Sequence, residues 1–447
     1  MAATPSRQRL PRGFGVIWTT VAIDLIGFGI VLPILPQYAE RFGAGAAVIG
    51  LLSASFSLMQ LVFAPVWGRL SDRIGRKPIL IVSLFGTAIG SLLTGLAPAL
   101  WLLFVGRIID GISGASVSVA QAAVSDLSSP RQRARLMGLI GAAFGVGFVV
   151  GPAIGSLAAL GGPKVPFFIA SAIAAVNALV AIVRLPETAH GVASHPKARP
   201  EVVAAREAES AAALAAERET VDAVAIASEP ALDGPGLVEP AHVGLHHATH
   251  TARATREVLV RLVVVSFVGI VAFSGFEATF SLLANARFGL ALSATAAVFV
   301  AIGLMLVAVQ GGLVGPVNRR LGESVTLRVG LLGNAIGLAV LAVDLGWPGL
   351  VVALVLLTIG QGLLTPTLSS AVAGRAGADT GVWLGWQQSA GGLARVIGPI
   401  AAGALFQWAG VGWPYAVGAV LALAALLLLP SARRAAATAG AKPVTAE

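Results

Sequence analysis

The sequence predicts an all-α integral membrane protein: twelve transmembrane helices in two pseudo-symmetric six-helix bundles, with both termini cytoplasmic. Three observations predict it. Of 447 residues, 56% are hydrophobic and only 11% are charged, where a soluble domain carries about 25% charge. The apolar residues fall into runs of about 20, the length that crosses a bilayer as a helix. Glycine motifs of the first half recur in the second.

Reading uncharged runs as helices places spans at 14–38, 46–67, 78–96, 99–124, 134–160, 164–185, 257–284, 293–315, 326–345, 348–373, 381–409 and 412–430. The first follows Arg7, Arg9 and Arg12 and is too long and Pro-rich for a cleaved signal peptide. Pro33 and Pro36 near its end allow a broken, mobile helix. The second and third spans flank "GRLSDRIGRK", a basic turn holding one acid, Asp72, among Arg69, Arg73, Arg76 and Lys77. Gly68 and Gly75 in it permit close backbone approach and a tight turn. The fifth span carries Gly147, Gly151 and Gly155 on one helical face beside Pro152. That face suits close helix contact, expected here against the opposite half.

Orientation follows from the cations. Of the 30 lysines and arginines, only Arg41, Lys164 and Arg287 fall in the loops of one side, and Arg107 and Arg395 lie inside spans. All the others are on the side of the N-terminus, which the positive-inside rule makes cytoplasmic. The net charge of +9 is therefore loop bias, not a nucleic-acid footprint.

Six spans precede residue 186 and six follow residue 256, giving a cytoplasmic N-terminus 1–13, an N-terminal six-helix bundle 14–185, a cytoplasmic linker 186–256, a C-terminal six-helix bundle 257–430 and a cytoplasmic tail 431–447. The linker is rich in Ala, Glu and Arg, too poor in large apolar residues to build a core, and suited to one marginal surface helix. All 6 histidines lie in it. Its "HVGLHHATH" (His242, His246, His247, His250) has spacing that could suit imidazole ligands, but a solvated linker is the simpler reading, and no metal site is expected. No histidine lies in the membrane, so any proton relay there uses carboxylates. With 0 cysteines, disulfides and thiol chemistry are excluded.

The halves repeat. Gly68 and Gly75 recur 247 positions on as Gly315 and Gly322, and Gly151-Pro152 recurs at the same shift as Gly398-Pro399. Duplicated halves are expected of alternating-access transporters. The copies differ chemically: Asp72 corresponds to Arg319, Arg107 to Leu354 and Asp110 to Leu357.

A charge at a helix centre costs about 2.5–3.5 kcal/mol on insertion scales, so charges inside spans point to function. Asp24 lies about 15 Å into the first span and Asp110 about 15 Å into the fourth, with Arg107 slightly outward. An acid beside another acid and an arginine can have its proton affinity moved either way, which suits proton coupling; the simpler reading is a structural ion pair. In the second half, Glu277 and Arg395 fit either a structural pair or a substrate site. Gln60, Gln121, Asn334, Gln361 and Trp386 are further pocket candidates.

Four stretches resemble the signatures of one family, the major facilitator superfamily, and within it the twelve-span drug:proton antiporters. "GRLSDRIGRK" is similar to its loop 2–3 signature, "LIGFGIVLPILP" (with Gly27, Pro33 and Pro36) to the span 1 signature of drug exporters, and "RIIDGISGA" to the span 4 signature, with Asp110 where Gln is usual. "GVGFVVGPAIGS" resembles the span 5 antiporter signature, with Ser156 in place of its final Gly. The nearest branch is the tetracycline-efflux type. That branch has intramembrane acids where this chain has Gly90 and about Asn334, a departure that argues against tetracycline as substrate. The resemblance implies that spans 1 and 4 face one cavity, and that Asp72 docks against the other half near span 11 while the cytoplasmic side is closed.

The sequence therefore points to a non-enzyme: a secondary active transporter of the inner or plasma membrane that exports drug-like or small organic molecules in exchange for protons. Its expected partners are a small-molecule substrate, protons and the lipid bilayer, with no cofactor and no nucleic acid, and it is expected to work as a monomer. Proton symport or facilitated passage of a small metabolite on the same fold is the alternative. A non-transporting receptor or scaffold fits poorly, since no sizeable soluble domain is present. No hydrolase nucleophile constellation and no Walker-type phosphate loop is present.

Overall fold

The computed structural model describes residues 10–114, 116–128, 130–188 and 241–429. Most of the predicted linker, including the side chains of His242, His246, His247 and His250, lies outside the described residues, as does the predicted tail. The chain divides into a helical unit, Met1–Ala189 with Arg253–Glu447, and a second unit, His190–Ala252.

Among the described residues every regular element is a helix. In order they are α1 (Phe14–Val31), α2 (Leu35–Glu40), α3 (Ala46–Ile74), α4 (Arg76–Leu96), α5 (Leu100–Ser113), α6 (Ser116–Leu127), α7 (Pro130–Ala159) and α8 (Val165–Arg184). There follow α9 (Ala241–Phe288), α10 (Leu292–Ala308), a π-helical turn Val309–Leu313, α11 (Val314–Leu321), α12 (Glu323–Ala342), α13 (Gly346–Ala376), α14 (Thr380–Trp408) and α15 (Trp413–Leu428). Among the described residues eleven helical segments are long and apolar enough to cross a membrane, counting α5 with α6 and α10 through α11 as one each; α15 is apolar but shorter. Large apolar side chains such as Val183, Leu427 and Leu157 point away from the protein, as lipid-facing residues do. Exposed Trp101, Trp347, Trp408 and Trp413 stand at helix ends on one side, where an aromatic belt meets the membrane interface.

Three predicted spans depart from uniform helices. The first breaks at residues 32–34 between α1 and α2, as Pro33 and Pro36 led the sequence to expect. The fourth breaks after Ser113, unforeseen, and its freed carbonyls are bonded by neighbours. Trp67 Nε1 donates to Ile112 O at 2.6 Å, Gln60 Nε2 to Gly114 O at 2.7 Å, and Ser83 Oγ to Ser113 O. In lipid an unbonded carbonyl is costly, so a break persists only where protein groups satisfy it. The eighth contains the π-helical turn.

The basic turn is also narrower than predicted. Helix α3 continues through Asp72 to Ile74, because leaving the apolar layer ends hydrophobicity, not helicity. Gly75 alone makes the turn, at φ 112°. Gly68 lies within the helix with open space around it, which corrects its predicted place in a turn.

The repeat is legible in the packing. A Cβ on Gly90 would lie 2.8 Å from Gly106 O and 2.9 Å from Asp110 Cβ. At the repeat positions, a Cβ on Gly337 would lie 2.9 Å from Ala353 O and 2.8 Å from Leu357 Cγ. Lipid gives apolar helices no reason to associate, so such small-residue crossings let backbones approach and gain dispersion contact. The turns repeat as well: Gly322 stands at φ 79° and ψ 160°, against 112° and 156° for Gly75.

The side bearing Gly75 and Gly322 is called the basic side below, and the opposite one the far side. Helices α3 with α14 and α7 with α10 pack across the two halves. At the far ends of α3 and α14 the contact is close, a Cβ on Gly50 striking Pro399 O and one on Gly403 striking Ala46 O; α7 and α10 touch as deep as mid-helix, where a Cβ on Gly303 would strike Phe148 O. Toward the basic side the same helices separate, and Gly68, Gly138, Gly311, Gly312, Gly381 and Gly385 have nothing within 4 Å of a Cβ. The apolar clusters agree. One joins Ile30, Ile34, Tyr38 and Leu52 to Leu282, Leu292 and Ala296 across the halves. The cluster around Phe14, Leu80 and Ile140, and that around Leu262, Leu327 and Leu368, each stay within one half. The helices of the first unit are thus closed together on the far side and apart on the basic side.

Candidate functional site

Asp110 on α5, with its partner Arg107, lies within electrostatic reach of Asp24, which α1 places against the start of α6. Arg107 and Asp110, one helical turn apart on α5, form an ion pair with Nη1 2.8 Å from Oδ2, and their side chains are only 5% and 11% exposed. The guanidinium lies over the Phe56 ring at 4.3 Å from its centroid, a contact that favours a cation where water is excluded. Thr87 also hydrogen-bonds Asp110. Half-buried Asp24 is not in this pair. Its Oδ2 accepts a hydrogen bond from Ser116 Oγ at 2.5 Å. Its Oδ1 is buried and has no partner, as is Arg107 Nε.

The break in the fourth span explains this arrangement. It starts α6 at Ser116, which turns that hydroxyl toward α1. Sequence reasoning singled out both acids and did not consider Ser116. The signal was present in the glycines of "GISGAS", Gly111 and Gly114, the first of which lets α5 touch Phe56 O.

In the second half, Glu277 on α9 is half-buried and Arg395 on α14 is exposed. They interact electrostatically, and the ion pairs of the described residues do not include them. A neutral pair fills the space near the crossing of α12 and α13: Asn334 Nδ2 donates to Gln361 Oε1 at 3.0 Å. Gln121 is half-buried on α6, and Trp386 is exposed on α14.

Arg76 is the centre of the basic turn. It meets Asp72 Oδ1 at 2.6 Å, Asp126 Oδ2 at 3.0 Å and Ser71 Oγ at 2.6 Å. The carboxylate of Glu187, after α8, accepts from the backbone N–H groups of Arg76 at 2.8 Å and Lys77 at 3.2 Å. An acid at a helix N-terminus satisfies orphan donors and the dipole together. Asp126 and Glu187 were not foreseen, because their partners are distant in sequence. Asp72 stays 61% exposed, and Arg73 is exposed.

The span 5 glycines need a correction. Gly147, Gly151 and Gly155 pack on α1 of their own half, against Leu25, Gly29 and Ile30. The face toward α10 of the other half carries Gly145, Phe148 and Ser156 instead. The i, i+4 spacing marked a close face but could not say which neighbour it meets. Ser156 Oγ donates to Ser293 O at 2.8 Å, which gives the departure from glycine there a role in joining the halves. Gly27 is on the buried side of α1, where a Cβ would lie 4.0 Å from Ala170 O.

The family model of the Major Facilitator Superfamily matches residues 17–343 and 312–446. The chain belongs to the major facilitator superfamily. Among its relatives, the class E tetracycline resistance protein of Escherichia coli is 31% identical over 428 residues, 92% of each chain. Multidrug resistance protein 2 of Bacillus subtilis is 26% identical over 400 residues, 88% of each. Some tetracycline resistance proteins match over shorter stretches, the class B protein of Escherichia coli over 42% of its own length. The crystal structure of the human organic anion transporter MFSD10 (TETRAN) superposes with a TM-score of 0.62 at 27% identity, covering 94% of this chain and 99% of that one. This superfamily member is thus a multi-pass membrane transporter with drug-efflux relatives.

Proposed function

We propose that this transporter exports drug-like or small organic molecules in exchange for protons by alternating access. Twelve spans form the bundles 14–185 and 257–430, the short α15 being the last, and the basic side with both termini is cytoplasmic. The state described is then the one open to the cytoplasm. Asp24 is the proton carrier, Arg107 and Asp110 set its surroundings, and Glu277 with Arg395 lines the substrate side of the cavity. Asp72 and its basic turn act as the latch when the cytoplasmic side closes.

One observation carries this reading: the Asp24 carboxylate holds one oxygen on Ser116 and leaves the other unpartnered, beside an ion pair that already neutralises itself. A carboxylate with a free oxygen is a place to put a proton or a substrate donor. The efflux relatives support the outward direction. The test is a substrate panel in inverted vesicles with an imposed pH gradient. Uptake driven by an acid interior and abolished by an uncoupler is expected. Uptake driven by the opposite gradient would replace antiport with symport.

A further inference from the structure

Gln37 is a polar group near the end of the first span. It sits on α2, beyond the break, and is 7% exposed. Its Nε2 reaches Ser281 O at 3.1 Å, Leu290 O at 3.3 Å and Thr295 Oγ1 at 3.1 Å. All three acceptors belong to the other half: the end of α9, the turn after it, and the start of α10. Two of them are carbonyls, which accept only, so the amide nitrogen must be the atom that faces them. Two N–H groups serving three acceptors means that one is shared.

The surroundings suit a bond made and broken in each cycle. Gln37 lines a cavity of about 500 Å³ on the far side, with Glu40 and Arg41 of the first half and Asn285, Ala291 and Ser293 of the second. Water can reach the acceptors as soon as the halves part, so release exchanges protein hydrogen bonds for water ones at modest net cost. Two further polar links across the far side are also neutral: Ala47 N–H to Gln407 Oε1 at 2.9 Å, and Ser156 to Ser293. A buried ion pair would be far costlier to separate than these.

We propose that Gln37 is a positioning residue of the far gate: its carboxamide pins the first span to α9 and α10 while the far side is shut, and must let go for the far side to open. This rests on alternating access, but not on the identity of the substrate or on proton coupling.

The test measures distances, so it is separate from any flux assay. The chain has 0 cysteines, so introduced cysteines carry spin labels without background. Arg41→Cys with Ala291→Cys spans the far cavity. Ile74→Cys with Arg320→Cys spans the basic side, each of these two residues being exposed. Pulsed distance measurements on the full chain in lipid nanodiscs compare Gln37 with Gln37→Leu and Gln37→Glu. Losing the donors should lower the ratio of far-closed to far-open molecules about tenfold. The carboxylate, set against two carbonyls, should lower it further. The basic-side distance should shorten in step, a reciprocal shift that mere local damage would not cause. Thr295→Val removes one acceptor without changing shape and should act in the same direction, more weakly, adding nothing on top of Gln37→Leu. Unchanged far-side distances in Gln37→Leu, or in Thr295→Val where the first variant does not fold, overturn the proposal.

Discussion

Arg76 and Glu323 stand one residue past the two turning glycines and make the same ion pair with the charges exchanged. Arg76 meets Asp126 at 3.0 Å, and Glu323 meets Arg375 at 2.6 Å. Each pair ties the start of one span to the end of the span that follows it. The repeat therefore preserves a fastening and not a charge. Arg375→Glu should destabilise the second half by about 2–3 kcal/mol, less than a fully buried pair would lose, since Glu323 is 32% exposed. Adding Glu323→Arg should restore most of it. A double-mutant cycle on thermal unfolding in detergent checks this; equal losses in single and double variants would refute it.

Among the described residues Asp72 pairs with Arg76 of its own basic turn. Asp72→Asn should leave folding and membrane insertion unchanged, because 61% of that side chain is exposed. On the proposed latch, which would use this carboxylate's charge when the basic side is shut, transport should slow at least severalfold. Expression level and initial transport rate, measured together, decide. Full transport by a well-expressed variant would count against the latch.

Gly90 has no room for a side chain. Gly90→Asp, which restores the acid of the tetracycline-efflux branch, should fold poorly, and Gly90→Ala should lose about 1–3 kcal/mol through overpacking. Asn334→Asp is nearly isosteric and should be tolerated as a fold. Wild-type protein should give weak tetracycline tolerance or none. Growth in tetracycline alongside membrane yield tests both; a large rise in tolerance from the wild type would reject the specificity argument.

Asp24→Asn should abolish accumulation driven by a pH gradient while leaving some substrate binding. Asp110→Asn should do so less completely, because that carboxylate is already engaged by Arg107. Ser116→Ala should shift the pH at which transport is half-maximal without abolishing it. Glu277→Gln should mainly change substrate range. Proton release on adding substrate to purified protein is the measurement. Release as in wild type from both Asp24→Asn and Asp110→Asn would place coupling elsewhere.

The sequence revealed what composition and spacing encode. Apolar run length located the helices, glycine spacing exposed the repeat, and the rarity of membrane charges picked out Asp24, Arg107 and Asp110. Pro33 and Pro36 foretold the break in the first span. What stayed hidden depends on partners distant along the chain. The break at Gly114 survives because Gln60 and Trp67 of α3 bond its carbonyls. Glu187 matters only because the chain returns to Arg76 after 111 residues. The span 5 glycines announced a close face, yet only the fold assigns it to α1.

Helix α3 holds two places at once. Near its far end Gly50 presses on Pro399 of the other half; deeper, Gln60 and Trp67 hold the carbonyls whose release lets Ser116 reach Asp24. The helix that meets the other half on the far side is thus also the helix that shapes the acid's surroundings. Under the proposed alternating access, such a helix would act as a camshaft, keeping two events in time without a messenger between them. A lineage that retunes one will meet the other, so changes in cargo and changes in energy coupling should arise together along this single helix.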